Sequence, residues 1–223
     1  MDVIALLKND HRTVEGLFAR FEKAKNGQKR KIVDEIIREL AIHASVEETI
    51  VYPAARKLVK AAEDQVLESL EEHHIVKWTL DELRKMSADN ERFEAKVTVL
   101  KEMVSHHVKE EETELFPKMK KALSKKQLAD LGEAVTAAKK VAPTRPHPSA
   151  PDTPPGNLFA SAGASVVDRV RDAGRRMVDK VSNGARRKNG KATTPAKKNG
   201  NGARAATKRT RTTSGTHRVH RAA

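Results

Sequence analysis

The segments HASVEETIVYP (residues 43–53) and HVKEEETELFP (residues 107–117) align with each other without a gap. In each of them a histidine precedes a glutamate by four positions and a proline by ten. One His-x-x-x-Glu pair arises easily by chance, but two copies with the same spacing through to the proline do not. We refer to these two stretches as the twin segments.

Helical geometry gives the spacing inside the twin segments a physical meaning. Residues four apart on an α-helix lie about 40° apart around its axis and one turn along it, so each histidine projects in the same direction as its glutamate. Each histidine also follows apolar residues by three and by seven positions, which places it on the apolar face. These residues are Leu40 and Ile36 before His43, and Val104 and Leu100 before His107.

Apolar residues recur at steps of three and four throughout residues 1–140, which predicts amphipathic helices. The pattern breaks near Asn26-Gly27, around residues 60–64 and at residues 87–90. Four long helices with short connections predict an all-α fold, an antiparallel up-and-down four-helix bundle. A shorter fifth helix is predicted over residues 125–140, where Ser124 and Gln127 have the spacing of a capping box.

The composition changes sharply after residue 140. Residues 141–157 contain six of the nine prolines and are predicted to form an extended linker. Residues 158–183 carry a weaker helical pattern with basic residues, a candidate amphipathic helix. Residues 184–223 are mainly Gly, Ala, Thr, Lys and Arg, and a segment with so little to bury is predicted to be disordered.

Charge divides the chain at the same place. The formal net charge is +14, and residues 141–223 hold 18 basic and 4 acidic residues, so the whole excess lies beyond residue 140. The absence of cysteine excludes disulfides, thiolate metal sites and thiol nucleophiles. Neither a signal peptide nor a stretch approaching the roughly 18 apolar residues of a membrane span is visible. A cytoplasmic protein is therefore expected.

The first and third helices carry two further inward-facing histidines. His11 and His73 are each followed by apolar residues at three, seven and ten positions. Charged residues follow His74 at the same three spacings. His74 is therefore the second choice, after His73, for the ligand position on the third helix. On the fourth helix His106 is the alternative to His107. The residues ten and fourteen positions before His106 are not apolar, so His106 does not share a continuous apolar face.

One inward histidine per helix and one glutamate from each twin segment therefore converge on the bundle interior. These candidate metal ligands are His11, His43, Glu47, His73, His107 and Glu111. Burying them unpaired would cost several kcal/mol each, so a cation is expected among them. Nitrogen and oxygen ligands with bridging carboxylates inside a four-helix bundle suit a pair of iron or manganese ions, with zinc as a further occupant. The neighbouring acids Glu48, Glu110, Glu112 and Glu114 are interpreted as a solvated helix face.

Residues 1–140 resemble the hemerythrin-like family, in its HHE cation-binding branch. The resemblance rests on DHRTVEGLF, HASVEETIVYP, EEHHIVKWTLDEL and HVKEEETELFP. It implies a non-haem di-iron centre with four terminal histidines, His11, His43, His73 and His107, and with Glu47 and Glu111 bridging. It also implies a role in oxygen, redox or nitric oxide sensing or scavenging, or in iron homeostasis, with O₂, peroxide or nitric oxide as small ligands.

One departure from the family concerns the third helix. Oxygen-carrying hemerythrins have a second histidine one turn after the first, whereas this chain has Lys77, or Trp78 when counted from His74. The centre would then have one imidazole ligand fewer than in those proteins. Water, Glu15 or His74 would complete it, and reversible oxygen carriage is not expected. The alternatives to a sensor are a di-iron oxidase or peroxidase, and a nucleic-acid-binding protein whose bundle is a metal-stabilised scaffold. The residues show no separate catalytic base or substrate pocket, so we expect no efficient enzyme.

The basic tail predicts non-specific contact with DNA or RNA through phosphates. Its runs PAKKNG and TKRTR resemble the tails of bacterial nucleoid proteins, and an anionic membrane surface is the alternative partner for residues 158–181. The tail residues expected to contact phosphates are Arg186, Arg187, Lys188, Lys191, Lys197, Lys198, Arg204, Lys208, Arg209 and Arg211. Beyond residue 140 the only aromatic residue is Phe159, so base stacking by the tail is expected to contribute little.

The choice between His73 and His74 predicts a clear difference between two variants. His73→Ala should lose most of the bound metal, because only His73 shares helical phase with Val76 and Leu80. His74→Ala should keep the metal content of the wild type. Elemental analysis of both purified proteins checks this, and the reverse result would mean that the third helix is out of register by one residue.

Overall fold

The computed structural model describes residues 1–151, and every regular element within that range is helical. The α-helices are α1 (Val3–Lys23), α2 (Asn26–Val46), α3 (Tyr52–Leu58), α4 (Glu63–Lys85), α5 (Phe93–Glu110), α6 (Phe116–Ala122) and α7 (Lys125–Lys139). A π-helical turn, Glu47–Val51, joins α2 to α3, and a second, Glu111–Leu115, joins α5 to α6.

The four long rods of the bundle are α1, α2–α3, α4 and α5–α6. Contacts run from α1 to α2, from α2 to α4, from α4 to α5 and from α5 back to α1, so the rods close into a ring. The connections between rods are short and fall at the three predicted breaks. The all-α four-helix bundle predicted from the sequence is confirmed.

Helix α7 packs along α1 and α2 and is held by a well-defined start. The Ser124 side chain accepts a hydrogen bond from the Gln127 backbone N–H, and the Gln127 side chain accepts one from the Ser124 N–H. This is the capping box expected from the sequence, and it satisfies two N–H groups that a helix end otherwise leaves without partners. The helix ends at Lys139, one residue before the predicted limit.

The apolar core is divided into two clusters by a polar layer. One cluster contains residues from the start of α1, from α3, α6 and α7, and from the beginning of α4. The other contains the second half of α1 and the interior faces of α2, α4 and α5. His11 lies between Leu7 of the first cluster and Val14 of the second, which shows how the polar layer interrupts an otherwise continuous apolar stripe.

Each π-helical turn begins at the glutamate of a twin segment. The backbone N–H of Tyr52 donates to the Glu47 carbonyl, and that of Phe116 donates to the Glu111 carbonyl, five residues back in each case. Proline follows each turn, and its ring would collide with the carbonyl four residues earlier in a regular α-helix. A π-helical turn contains one residue more than an α-helical turn, which removes that collision. The helix therefore continues past each proline.

Residues 141–151 run back over the bundle. Ala142, Pro143 and Pro146 are buried, and the segment lines a small pocket with residues of α2 and with Lys77 of α4. The remaining predicted linker residues, the candidate helix at 158–183 and the tail at 184–223 lie outside the described residues. No helix within residues 1–151 is long and apolar enough to cross a membrane.

Close packing of α7 on the chain start predicts a strong effect at Gly132. A Cβ at this position would lie 2.3 Å from the Met1 carbonyl oxygen and 3.0 Å from backbone atoms of Asp2 and Val3. Gly132→Ala should therefore lower the free energy of unfolding by about 1–3 kcal/mol, because backbone atoms must move apart. Thermal melting followed by circular dichroism measures the change.

Gly16→Ala is the matched control, since a Cβ at Gly16 in α1 meets nothing within 4 Å. It should raise the free energy of unfolding by about 0.5–1 kcal/mol through lower chain entropy in the unfolded state. A Gly132→Ala protein that melts as high as Gly16→Ala would contradict the packing of α7 described here.

Candidate metal centre

Four buried histidines, one from each rod, meet in the polar layer. The rings of His11 and His43 approach with their centroids 5.0 Å apart, and those of His73 and His107 approach to 4.7 Å. All four are at most 6% exposed. The helical phase that indicated inward-facing positions in the sequence therefore leads to one compact group.

Glu47 and Glu111 lie at the middle of this group and are fully buried. Each carboxylate faces one histidine of its own rod and one of another rod. Glu47 Oε2 lies 3.1 Å from His43 Nε2 and 3.4 Å from His73 Nε2, and Glu111 Oε2 lies 3.7 Å from His107 Nε2 and 3.4 Å from His11 Nε2. Both glutamates thus connect two sides of the bundle.

These side chains form two sets of atoms with the spacing of metal ligands. His11, His43, Glu47 and Glu111 each place one ligand atom within 4.8 Å of the others, and Glu47, His73 and His107 do the same. Glu47 belongs to both sets. Two adjacent cation positions that share a carboxylate are the arrangement expected for a dinuclear centre.

Several atoms of the centre have no hydrogen-bond partner within the described part of the chain. They are His11 Nε2, both ring nitrogens of His43, both carboxylate oxygens of Glu47, and Glu111 Oε2. Buried polar atoms are nearly always partnered, because leaving one without a partner costs about 1–3 kcal/mol. The residues that carry these atoms are the four members of the first ligand set, so a cation ligated there fits the residues present.

A carboxylate lies beside the outer nitrogen, Nδ1, of each histidine. The pairs are His11 with Glu112 at 2.9 Å, His43 with Asp10 at 3.5 Å, His73 with Glu48 at 3.1 Å and His107 with Glu72 at 2.6 Å. For His11, His73 and His107 this contact is a hydrogen bond, whereas Asp10 lies beside His43 without one. An acceptor at Nδ1 keeps the proton there and leaves Nε2 free to bind a cation, while also fixing the ring orientation.

Lysines in turn neutralise three of these outer carboxylates. Lys77 Nζ donates to Glu48 at 3.0 Å, Lys8 Nζ donates to Glu112 at 2.6 Å, and Lys139 of α7 donates to Asp10. Outwards from the centre, each imidazole is therefore followed by a carboxylate, and three of these carboxylates are followed by a lysine ammonium group. Position 77, where oxygen-carrying hemerythrins have a histidine, belongs to this outermost layer.

The interpretation of the neighbouring acids as a solvated helix face is wrong for Glu48, which is only 6% exposed. Glu112 is half-buried and also contacts a central histidine, whereas Glu114 is exposed. The sequence did carry a signal for this role. An acid directly follows the central glutamate in both twin segments, and Asp10 and Glu72 directly precede the other two histidines.

One position breaks the symmetry of the two halves. The Tyr52 hydroxyl donates to Glu111 Oε1 at 3.0 Å and lies 3.2 Å from His73 Nε2. Its counterpart Phe116 instead stacks on His11 with the ring centroids 5.8 Å apart. Glu111 therefore receives a hydroxyl hydrogen bond from the protein, whereas Glu47 does not.

The two central carboxyls also differ in their protonation. Burial raises the pKa of Glu47 well above its usual value, and the charge of Glu111 raises it further. Burial also favours a neutral Glu111, but the adjacent imidazoles, His107 first, lower its pKa to about 2. Burial lowers the pKa of His43 to about 4, so this ring is neutral at neutral pH and its nitrogen is available as a ligand.

The other candidate residues lie outside the two sets of ligand atoms. Glu15 is exposed on α1, and His74 is half-buried and accepts a hydrogen bond from Trp78. His106 points outwards, with 62% of its side chain exposed, beside Glu110. The tail residues proposed to bind phosphates are outside residues 1–151.

A small apolar cavity of about 20 Å³ adjoins the four histidines. Its walls come from the second apolar cluster, including Val14, Leu40, Val76 and Val104. A space of this size holds one water-sized molecule, since about 10–15 Å³ is needed for a single water. Apolar walls favour a small, weakly hydrated ligand at this position.

Comparison with known proteins agrees with this geometry. The family model for the hemerythrin HHE cation-binding domain matches residues 2–119. An uncharacterised hemerythrin-like protein of Schizosaccharomyces pombe is 30% identical over 165 residues, which cover 73% of this chain and 81% of the relative. A solved structure of an HHE cation-binding domain protein from Mycobacterium kansasii has a TM-score of 0.56 and 24% identity, covering 63% of this chain and 86% of the other; it supports the fold.

A DNA nickase of Nostoc is also similar to part of the chain. The two proteins are 28% identical over 140 residues. The match covers 62% of this chain but only 39% of the nickase. The similarity therefore concerns one portion of a considerably longer protein.

The outer carboxylates predict an effect on metal affinity without any loss of a ligand. Glu112→Ala removes the acceptor at His11 Nδ1, so affinity should fall about 10- to 100-fold. Glu114→Ala is the matched control, because Glu114 is exposed in the same π-helical turn and should behave as wild type. Competition with a chelator measures both affinities, and equal values for the two variants would remove the assigned role of Glu112.

Proposed function

The chain belongs to the hemerythrin HHE cation-binding family, and we propose that its buried centre holds two iron ions and senses or scavenges O₂, peroxide or nitric oxide. The observation that carries this proposal is Glu47, which belongs to both sets of ligand atoms. Neither set of ligand atoms contains all six residues, so two ions are needed to use them all. Nitrogen and oxygen ligands without sulfur suit iron, with manganese as the alternative.

Bound iron supplies reversible redox change and a coordination position for a small molecule. The two sets of ligand atoms contain different numbers of residues. One set offers four ligand residues, while the set of His73, His107 and Glu47 offers three. The smaller number of ligand residues in the second set and the adjacent cavity would leave room for a small molecule beside a bound ion.

The chain's own residues hold protons at fixed places around the centre. The carboxylates that accept from Nδ1 of His11, His73 and His107 hold a proton on each of these three nitrogens. The Tyr52 hydroxyl, beside Glu111 and His73, is the nearest side-chain donor to the second set. Burial raises the pKa of Tyr52 well above its usual value, so it remains a neutral hydrogen-bond donor.

Sensing and enzymatic turnover differ in stoichiometry. The cavity that adjoins the four histidines has room for one small molecule. A sensor should react about once per centre and stop, whereas an oxidase or peroxidase continues. Peroxide and nitric oxide consumption by the iron-loaded protein, measured with a large excess of ligand, tests this. Sustained turnover would overturn the sensor proposal in favour of an enzyme.

The basic tail, in our proposal, tethers the bundle to DNA or RNA. The support is its charge, since the excess of +14 lies wholly beyond residue 140 and the bundle itself is neutral. The relative named as a DNA nickase acts on DNA according to its name, which adds support for a nucleic-acid setting. Such a tether would concentrate a redox-responsive protein on the nucleic acid.

The ligand assignment predicts the metal content of a double variant. His43→Ala/His107→Ala removes one ligand from each set and should lose most of the bound iron. Its melting temperature should also fall by several degrees, because metal binding stabilises only the folded state. Elemental analysis and thermal melting measure the two effects, with His106→Ala as the control for an exposed histidine. Two irons per chain in the double variant would disprove the assignment.

The tail proposal predicts a separation of binding from metal content. We choose glutamine substitutions of the ten tail residues Arg186, Arg187, Lys188, Lys191, Lys197, Lys198, Arg204, Lys208, Arg209 and Arg211 within the full chain. Iron content should stay unchanged, while DNA affinity should fall steeply and lose most of its dependence on salt. Filter binding across a salt series measures this. Wild-type affinity in the substituted protein would place DNA binding elsewhere on the chain.

A further inference from the structure

A surface cavity of about 550 Å³ lies between α4 and the segment that follows α7. Its α4 wall includes Trp78, Asp81, Arg84 and Lys85, and the opposite wall is formed by residues 145–150. It opens on the outside of the bundle and contains none of the candidate metal ligands. Neither the metal centre nor the bundle core accounts for it.

Trp78 is the chain's single tryptophan, and 47% of it is exposed. Its indole N–H donates to His74 Nε2 at 3.1 Å, and the two rings meet edge to face. The polar atom of the indole is therefore satisfied within the protein. The ring is held in a fixed orientation on the cavity wall, which is what an aromatic stacking platform requires.

The charged residues around the cavity are predominantly basic. Asp81 holds both Arg84, at 2.7 Å, and Lys85, at 2.5 Å. Arg145 lies on the opposite wall, so three of the four Arg, Lys, Asp and Glu side chains that line the cavity are basic. Two of the cations are tethered by a common partner, so positive charge is kept beside the indole.

The cavity also lies next to the start of the basic region. Residues 145–150 form its second wall, and the described chain ends immediately after them at Pro151. The remaining residues, 152–223, contain 17 of the 44 lysines and arginines. Most of the excess positive charge therefore follows the cavity wall directly in the sequence.

We propose that this cavity binds an unpaired base and its phosphate from single-stranded nucleic acid, with Trp78 stacked on the base and Arg84, Lys85 and Arg145 around the phosphate. The inference rests on the proposed nucleic-acid contact of the tail and adds a preference to it. The tail alone attracts single and double strands by charge. Stacking on Trp78 selects single strands, because the bases of a duplex are already stacked on one another.

The single tryptophan provides a direct measurement in the full-length, iron-loaded protein. Binding of a dT₁₅ oligonucleotide should change the tryptophan fluorescence, because a base stacks on the indole. Heparin, a polyanion without bases, should bind the tail and leave the fluorescence unchanged. An equal response to heparin would overturn the stacking proposal and leave a simple basic patch.

Three variants separate stacking from charge. Trp78→Ala should weaken binding of labelled dT₁₅ about ten-fold, with little change for a duplex of the same length. Trp78→Phe should restore most of the affinity, since it keeps an aromatic face. Ile75→Ala is the matched control, because Ile75 is 54% exposed on the same helix and is not part of the cavity wall.

The outcomes distinguish this inference from the tail proposal. Salt-dependent binding of dT₁₅ and duplex that is equal in Trp78→Ala and wild type would overturn the inference and leave the tail proposal standing. No binding of either nucleic acid by the wild type would overturn both. Loss of single-strand binding in Trp78→Ala with recovery in Trp78→Phe would support the cavity as the binding site.

Discussion

The burial of two carboxylates among four imidazoles is the constraint on which the rest of the structure depends. Charged groups placed in an apolar interior are tolerated only where partners compensate for the lost water. Here the compensation is arranged in layers, with carboxylates at the outer nitrogens of the histidines and lysines beyond three of those carboxylates. The central glutamates keep orphaned oxygens, and it is there that a cation completes the balance. Metal binding and folding are therefore linked in this bundle.

The helices are shaped to meet that constraint. Each π-helical turn starts at a central glutamate and is followed by a proline, so the helix widens beside the metal ligands and then continues. The polar layer consequently lies between two apolar clusters, which exclude water from both ends of the centre. Helix α7 contributes to the same arrangement, because its Lys139 reaches Asp10 at the outer edge of the His43 side.

The two halves of the centre are nearly symmetric and differ at one position that bears on its function. The twin segments supply equivalent histidines, glutamates and outer acids, but Tyr52 and Phe116 differ by a hydroxyl. That hydroxyl donates to Glu111 of the four-residue set and also lies beside His73 and His107 of the three-residue set. The small apolar cavity beside the histidines then limits what can approach. The asymmetry and the cavity are the two features on which the proposed redox role rests.

The sequence by itself determined the helices, the capping box at Ser124 and the inward phase of the four histidines and two glutamates, because these follow from the local helical period. Only the tertiary structure decided the partners across helices. Glu48 meets His73 across 25 positions, and Glu112 meets His11 across 101, so no periodicity within one helix could reveal them. The same holds for the cavity beside Trp78, whose second wall comes from a segment more than sixty residues away. Helical phase is a local property, whereas charge compensation depends on which helices pack together.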